Sequence, residues 1–288
     1  MKEIGGTTKL CGLIGNPVGH TKSPAIHNLL AERTGFDLAY GAFPVPEGSL
    51  EAAVKGAFAL GIFGMNVTVP YKQTIIPFLC DIDPLAKKIG SVNTLVRCEN
   101  GYKGYNTDMP GLMRAFETDG VDIRGEDIVV LGAGGVARAV VMLLEESGAA
   151  SVTIINRNSD RAEELAGSVN SICGREFARP LSIGDYGKLP DERKFIVIQA
   201  TSVGMYPDVE KAVIEDPAFY ERVKVGYDLI FNPKTTRFME LSMKAGARAY
   251  NGSKMLLYQG IIAYEYWTGI KISEDLAKEV YEKVLADV

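Results

Sequence analysis

A chain of 288 residues exceeds the length at which a single hydrophobic core keeps growing, so two domains are expected. Apolar residues make up 47% and charged residues 23%, an ordinary globular balance, and a net charge of −5 with a pI near 5.3 offers no basic face for nucleic acid. No run of about 18 apolar residues could span a bilayer, and MKEIGGTTK lacks the apolar segment of a secretory signal. The four cysteines are scattered without a C-x-x-C, which suggests neither a zinc site nor a disulfide framework. The expectation is a cytoplasmic protein with reduced thiols, no metal, and no membrane or nucleic-acid partner.

Lys9 to Gly15 (KLCGLIG) reads as a buried first strand. The following NPVGHTKSPAIHN stays irregular until Ser23-Pro24, where a serine N-cap and a proline at the first helical position announce a helix. Thr21 and Ser23 thereby bring two hydroxyls to a helix N-terminus, where free N–H groups and the helix dipole favour an anion. Ser23 acting only as a cap is the plainer reading, and the two are compatible.

Leu38 to Val45 reads as a strand, Glu47 to Leu60 as a helix and Phe63 to Val69 as a second strand. In NVTVPYK, Val67 and Val69 alternate with Asn66 and Thr68, the period of a half-buried strand that Pro70 then ends. Lys72 follows at the strand's exit, where sheets of this kind keep ligands, and lysine is suited to general acid–base work. A solvated surface lysine is the alternative. An apolar helix to about Leu79, a turn at Asp81 to Pro84, a short helix to Gly90 and a strand from Ser91 to Arg97 carrying Asn93 come next. Gly101 to Asp108 (GYKGYNTD) reads as a loop or short strand, with Asp108 either an N-cap or a functional carboxylate. Strands alternating with helices predict a largely parallel α/β arrangement.

Glu126 to Leu131 runs straight into Gly132-Ala133-Gly134-Gly135-Val136-Ala137, a G-x-G-x-x-A between a predicted strand and a predicted helix. That is the context dinucleotide binding requires: glycines let a pyrophosphate approach the backbone, and Ala137 allows close helix packing. The next strand, Ser151 to Asn156, ends about 20 residues past the glycines, where an NAD site would carry an acid. Asn156, Arg157 and Asn158 stand there, with Arg161 one turn on. Guanidinium groups suit a ribose phosphate, so NADP is expected over NAD, with Asp160 the residue that would reverse this if it turned inward. Phe195 to Ala200 and Lys224 to Ile230 read as further strands, followed by the polar loops TSVGM and FNPKTT. Thr236 to Ala245 reads as a helix and Arg248 to Tyr250 as a strand. Gly252 breaks the chain before Ser253 caps a long apolar helix to Thr268, interrupted by Gln259. Glu274 to Val288 reads as an amphipathic helix with Leu276, Val280, Val284 and Val288 in one row.

The motifs GNPVGHTKSPAIHN, NVTVPYK, GSVNTL, GYNTD, GAGGVARA, INRNSDRAEEL, ATSVGM, DLIFNP with Thr236, and GSKMLLYQG occur in this order. On these the chain resembles the shikimate dehydrogenase family over essentially its whole length. The resemblance implies an N-terminal α/β substrate domain with a mainly parallel sheet, residues 1–108 with 253–288, to which the C-terminal helices return. It also implies a Rossmann-type NADP domain, residues 109–252, and a cleft between the two. The implied activity is reversible NADPH-dependent reduction of 3-dehydroshikimate to shikimate, on the route to chorismate and aromatic amino acids. Lys72 and Asp108 stand at the positions of the catalytic pair. Thr21 and Ser23 match the grip on the substrate carboxylate, although Thr21 replaces the usual serine. Thr68, Asn93 and Gln259 match positions that hold ring hydroxyls, and Phe231 stands where a tyrosine is common. Gly132, Ala133, Gly134, Gly135, Val136, Asn156, Arg157, Asn158, Arg161, Leu229 and Gly252 match the cofactor contacts. A quinate or dual quinate/shikimate dehydrogenase would share nearly all of these motifs. A non-catalytic ligand-binding regulatory relative would have lost Lys72 and Asp108, and both are present. Oligomeric state, a homodimer included, is left open.

Overall fold

The structure, a computed structural model, describes residues 4–190 and 193–286. The chain separates into two units: one holds the residues up to Arg114 together with those from Met255 to the last described residue, the other Ala115–Lys254.

In the first unit the elements are β1 (Lys9–Gly15), α1 (Ser23–Thr34), β2 (Leu38–Pro44), α2 (Leu50–Ala59), β3 (Gly64–Val67), β4 (Asp81–Ile82), α3 (Pro84–Ile89), β5 (Thr94–Cys98), β6 (Gly101–Tyr105) and α4 (Asp108–Thr118). They form a six-stranded sheet in the order β2-β1-β3-β5-β6-β4. β1 runs parallel to β2 and β3, and β4 parallel to β6, whereas β5 is antiparallel to both neighbours. The reversal follows from Glu99-Asn100, a connection too short for the crossover that parallel pairing needs. Because β5 runs backwards, its start lies beside the end of β3 on one side and the end of β6 on the other. One end of the sheet therefore gathers Val67, Asn93 and Tyr105, joined by Val67 N–H to Asn93 C=O at 2.8 Å and Asn93 N–H to Tyr105 C=O at 3.0 Å.

The alternation expected in β3 is corrected: Gly64, Met65, Asn66 and Val67 are all buried, the strand stops at Val67, and Val69 is 66% exposed. A central strand covered on both faces buries both of its sides, so Asn66 must find hydrogen bonds inside. The helix expected after Lys72 is a single 3₁₀ turn, Ile76–Phe78, because Pro77 has no N–H to donate to a preceding turn. Part of the expected turn at Asp81 to Pro84 is β4, and Asp83 then caps α3 by accepting from Leu85 N–H at 3.0 Å. Asn93 sits just before β5 rather than on it.

The second unit contains β7 (Asp127–Leu131), α5 (Gly135–Glu146), β8 (Ser151–Asn156), α6 (Ser159–Cys173), β9 (Ala178–Ser182), β10 (Phe195–Gln199), α7 (Pro217–Tyr220), β11 (Val223–Asp228), α8 (Arg237–Lys244) and β12 (Arg248–Tyr250). All six strands pair in parallel in the order β12-β11-β10-β7-β8-β9. The order reverses between β7 and β10, the switch point where doubly wound sheets take their ligands. Sequence reading does not anticipate β9, whose five residues ARPLS carry neither alternation nor an apolar run.

The closing helices, α9 (Ser253–Thr268) and α10 (Glu274–Val284), pack onto the first unit. Trp267 of α9 lies against β3: a Cβ at Gly64 would fall 2.3 Å from its Nε1, which donates to Leu95 C=O at 2.9 Å. Arg33 of α1 pairs with Glu279 of α10 at 2.8 Å. Of the row expected on the last helix, Val288 lies outside the described residues. Two expected serine caps are also corrected. Ser23 and Ser253 are the first residues of their helices, and their N–H groups donate to Thr21 Oγ1 at 3.2 Å and Asn251 Oδ1 at 3.1 Å. Among the described residues no helix is long and apolar enough to cross a membrane.

Candidate active site

Lys72 and Asp108 meet in the first unit. Lys72 leaves the sheet just beyond β3, its C=O held by Val92 N–H at 2.8 Å, and its Nζ donates to Asp108 Oδ2 at 2.7 Å. Asp108 opens α4 but does not cap it: Met109 N–H donates to Asn106 Oδ1 at 3.2 Å, leaving the Asp108 carboxylate to the lysine. Both side chains keep access to solvent, 31% for Lys72 and 15% for Asp108. An amine and a carboxylate in contact at the mouth of a sheet can pass a proton to a bound oxygen and fix the orientation of its neighbour.

A buried polar network holds this pair in place. Asn93 Oδ1 accepts from Thr107 N–H at 2.7 Å and from the hydroxyl of Thr94 at 3.1 Å, while Asn93 Nδ2 donates to Thr107 Oγ1 at 3.0 Å. Asn66 Nδ2 donates to Thr94 Oγ1 at 3.0 Å and to Asn93 C=O at 3.2 Å, and Asn66 Oδ1 accepts from Tyr40 Oη at 2.7 Å. Thr94 and Thr107 are completely buried and the other members nearly so. An amide nitrogen carries two hydrogens, so Asn93 keeps one N–H beyond the bond to Thr107. The network fixes the backbone one residue before Asp108.

The remaining expected substrate residues fall into two groups. Thr21 and Ser23 are hydrogen-bonded to each other at 3.1 Å at the start of α1. Thr68 packs on Gly15, where an added Cβ would lie 2.3 Å from its methyl, and its N–H donates to Ile14 C=O at 2.9 Å. Gln259 is 8% exposed on α9, whose backbone crosses α4 so closely that a Cβ at Gly111 would lie 2.6 Å from Gln259 N. Gly111 is one turn from Asp108 on the same helix face, which brings Gln259 to the neighbourhood of the pair. Phe231 belongs to the second unit, on the loop after β11.

In the second unit β7 delivers the chain to Gly132, whose φ of 116° and 2.8 Å approach to Thr201 Cγ2 leave no room for a side chain. Ala133 turns the chain into α5, where Gly134 is the N-cap with no side-chain cap, and Gly134, Gly135 and Val136 are exposed. The first N–H groups of α5 therefore face outward over a surface free of side chains, a cradle that fits a pyrophosphate. At the end of β8, Asn156 Nδ2 donates to Asn158 C=O at 2.9 Å, and Asn158 Oδ1 caps α6 by accepting from Arg161 N–H at 3.2 Å. This order projects Arg157 and Arg161 outward. Neither guanidinium makes a hydrogen bond or ion pair among the described residues, the donor set a ribose phosphate needs. Leu229 and Gly252 touch: a Cβ on Gly252 would lie 2.2 Å from Leu229 C=O.

Asp228, at the end of β11, is fully buried. It accepts from Thr236 Oγ1 at 2.6 Å, Ile230 N–H at 2.9 Å and Gln199 Nε2 at 3.3 Å. Burial pushes its carboxyl up to about 6, and the three donors oppose that shift only in part. Gln199 in turn donates to Val203 C=O at 3.0 Å, so one buried carboxylate ties down the loops after both β10 and β11.

Three family models match the chain: the shikimate dehydrogenase substrate binding domain over residues 13–95, shikimate / quinate 5-dehydrogenase over 115–186, and the shikimate 5'-dehydrogenase C-terminal domain over 252–280. The shikimate dehydrogenase (NADP(+)) of Moorella thermoacetica is 42% identical over 272 residues, 93% of this chain and 91% of that protein. The chain belongs to the shikimate dehydrogenase family. Among solved structures, a shikimate dehydrogenase in complex with NADP+ is 35% identical with a TM-score of 0.88, covering 98% of both chains. The shikimate 5-dehydrogenase of Listeria monocytogenes, in complex with shikimate and NAD, is 32% identical with a TM-score of 0.88 over 97% of this chain and 98% of that one.

Family motifs single out the residues that would touch a ligand and pass over those that hold them. Tyr40, Thr94, Thr107, Gln199 and Asp228 are of the second kind, and sequence reasoning misses them. The signal for the last two is present: Gln199 ends the apolar FIVIQ and Asp228 the VKVGYD run, and a polar group on a strand buried on both faces must be bonded.

Proposed function

We propose that this chain is an NADP-dependent shikimate dehydrogenase that reversibly reduces 3-dehydroshikimate to shikimate, with the first unit taking the substrate and the second the dinucleotide. The observation that carries the reading is the 2.7 Å contact between Lys72 and Asp108, held by Asn93 and Thr107 at the sheet end where β3, β5 and β6 converge. The domain matches and the relatives named for this activity supply the substrate class.

When bound, the nicotinamide cofactor would be the hydride source for the ring ketone. The oxygen that becomes an alkoxide must gain a proton, and Lys72 Nζ gives it; in the reverse direction Lys72 takes that proton from the shikimate hydroxyl. Asp108 Oδ2 orients the ammonium, and its other oxygen accepts from a neighbouring ring hydroxyl. The free N–H of Asn93 and the amide of Gln259 hold the remaining hydroxyls. Thr21 and Ser23, at the positive end of α1, take the ring carboxylate. Arg157 and Arg161 pair with the 2'-phosphate that distinguishes NADP from NAD, while the bare glycines at the start of α5 take the pyrophosphate. The proposed location is the cytoplasm.

The test is a spectrophotometric assay of NADP reduction with shikimate, run beside quinate and beside NAD. Shikimate with NADP is expected to give a kcat/KM at least about tenfold above either alternative, a difference of roughly 1.4 kcal/mol in transition-state stabilisation. No turnover of shikimate by folded protein would refute the assignment. A preference for quinate would move it to the quinate enzyme, whose substrate rim would then include Thr21 and Phe231.

A further inference from the structure

We propose that Cys80 and Cys98 form a reversible intramolecular disulfide when the protein meets a disulfide oxidant of the glutathione class. The two thiols flank one strand. Cys98 is the last residue of β5 and pairs with Gly101, the first of β6. On the other side of β6, directly before β4, Cys80 N–H donates to Tyr102 C=O at 3.0 Å. Gly101 lies between them with φ at 145°, and a Cβ placed on it would meet Cys80 Cβ at 3.3 Å and Sγ at 3.6 Å. Cys98 and Gly101 on paired strands and Cys80 just before β4 thus lie side by side, with no side chain at the middle position. The two thiols interact across that gap.

Both residues are exposed, so an oxidant can reach them. The Cys98 thiol has only a weak contact, 3.6 Å to Val96 C=O, to give up. Residues on either side of one strand start farther apart than a disulfide tolerates, so Cys80 must shift toward Cys98. That shift is easy, because Cys80 lies outside β4, and β4 is a two-residue strand at the sheet edge. The other two thiols are poor candidates: Cys11 is buried, which pushes it up to about 12, and Cys173 belongs to the other unit.

The chemistry balances as two thiol–disulfide exchanges. One cysteine thiolate attacks oxidised glutathione, forms a protein–glutathione disulfide and expels one glutathione thiolate. The second cysteine then attacks the protein sulfur and expels the other glutathione. Two protein thiols are oxidised, two glutathiones are released reduced, and the protein loses two hydrogens. Partial burial, then the neighbouring Cys98 thiol, hold the Cys80 thiol above its usual range, so exchange quickens as pH rises. The bond would join the β5–β6 turn to the segment before β4, with four residues of β5 between it and Asn93, so it acts on stability.

The test uses the full chain. After incubation with oxidised glutathione, the expected product is a monomer lighter by two hydrogens; titrated after denaturation it shows two free thiols of the four, and dithiothreitol added before the titration restores all four. Its thermal midpoint should rise relative to the reduced protein. Cys80→Ser and Cys98→Ser should each abolish the product, and Cys11→Ala and Cys173→Ser should leave it intact, with thermal unfolding used to check that each variant folds. Two stable glutathione adducts on Cys80 and Cys98, a disulfide-linked dimer through either residue, or four thiols still titratable would each overturn the proposal.

Discussion

Lys72 Nζ and Asp108 Oδ2 are 2.7 Å apart although 36 positions separate them in the chain. A part-buried ion pair whose members both keep access to solvent adds about 1 kcal/mol or less to stability, so the fold gains little by making it. A buried network nevertheless fixes Thr107 beside it, and the proposed proton-transfer role accounts for that arrangement better than stability does.

Replacing Lys72 by Met keeps the length and apolar stem of the side chain and removes its proton. Turnover should fall by a factor on the order of 100 to 10,000, the range that general acid–base groups supply, while shikimate and NADP still bind. Isothermal titration with each ligand beside steady-state kinetics separates the two effects. Near-normal kcat would remove Lys72 from proton transfer.

Thr107→Val tests the support rather than the pair. It takes the acceptor from Asn93 Nδ2 and one donor from Asn93 Oδ1 in a fully buried setting, which should cost about 1–3 kcal/mol of stability. Because the residue precedes Asp108, kcat should also fall roughly tenfold to a hundredfold with KM changed little, since small misplacements of reacting groups are expensive. Thr107→Ser keeps the hydroxyl and should restore most of both. Lost stability with unchanged kcat, measured well below the unfolding midpoint, would reduce Thr107 to a structural role.

Arg157→Ala addresses the cofactor. A hydrogen bond to a charged group is worth about 1.5–3 kcal/mol, so KM for NADP should rise roughly tenfold to a hundredfold while KM for NAD stays put. Arg161→Ala should act in the same direction. Equal losses with both dinucleotides would show that the guanidinium does not read the 2'-phosphate.

The second unit is legible in the sequence because its signals are local. IVVL leads into Gly132, the turn has to be bare, and the strand order of such sheets follows from right-handed crossovers. The first unit is less legible. Val67 and Val69 suggest a half-exposed strand, but packing under Trp267, some 200 positions away, buries all of β3 and leaves Val69 outside. Serine before proline suggests a cap at Ser23, yet the helix begins one residue earlier, Lys22 takes the N-cap position without a side-chain cap, and the Ser23 N–H donates to Thr21 Oγ1. The motifs reach Asn93 but not its partners Thr107 and Thr94, because cross-strand hydrogen bonds leave no periodic trace in the chain.

Stability should depend on pH through two buried groups of opposite sign. His27 is completely buried, stacked 4.3 Å from Tyr40 and tilted against Trp267 at 5.0 Å, and neither ring nitrogen makes a hydrogen bond among the described residues. Burial lowers it from 6.5 to about 3, with the nearby Asn66 amide opposing the shift only weakly. As pH falls below 6.5 the unfolded chain takes a proton that the folded chain refuses, so folding loses about 1.4 kcal/mol per pH unit down to about pH 3. Asp228 behaves in reverse. Its folded value of about 6 exceeds the unfolded 3.8, so as pH falls from 6 to 3.8 the folded chain gains the proton first and stability rises by a similar slope. Between pH 6 and 3.8 the two contributions offset each other, and single substitutions should unmask them. Urea unfolding across this range should give a wild type minus His27→Phe difference that falls as pH drops, and a wild type minus Asp228→Asn difference that rises. Taking differences cancels the exposed carboxylates common to all three proteins, and the altered hydrogen bonding around Asn at position 228 enters as a constant offset. A flat His27 difference would mean that the ring titrates normally in the folded protein; a flat Asp228 difference would mean that its three donors fully offset burial.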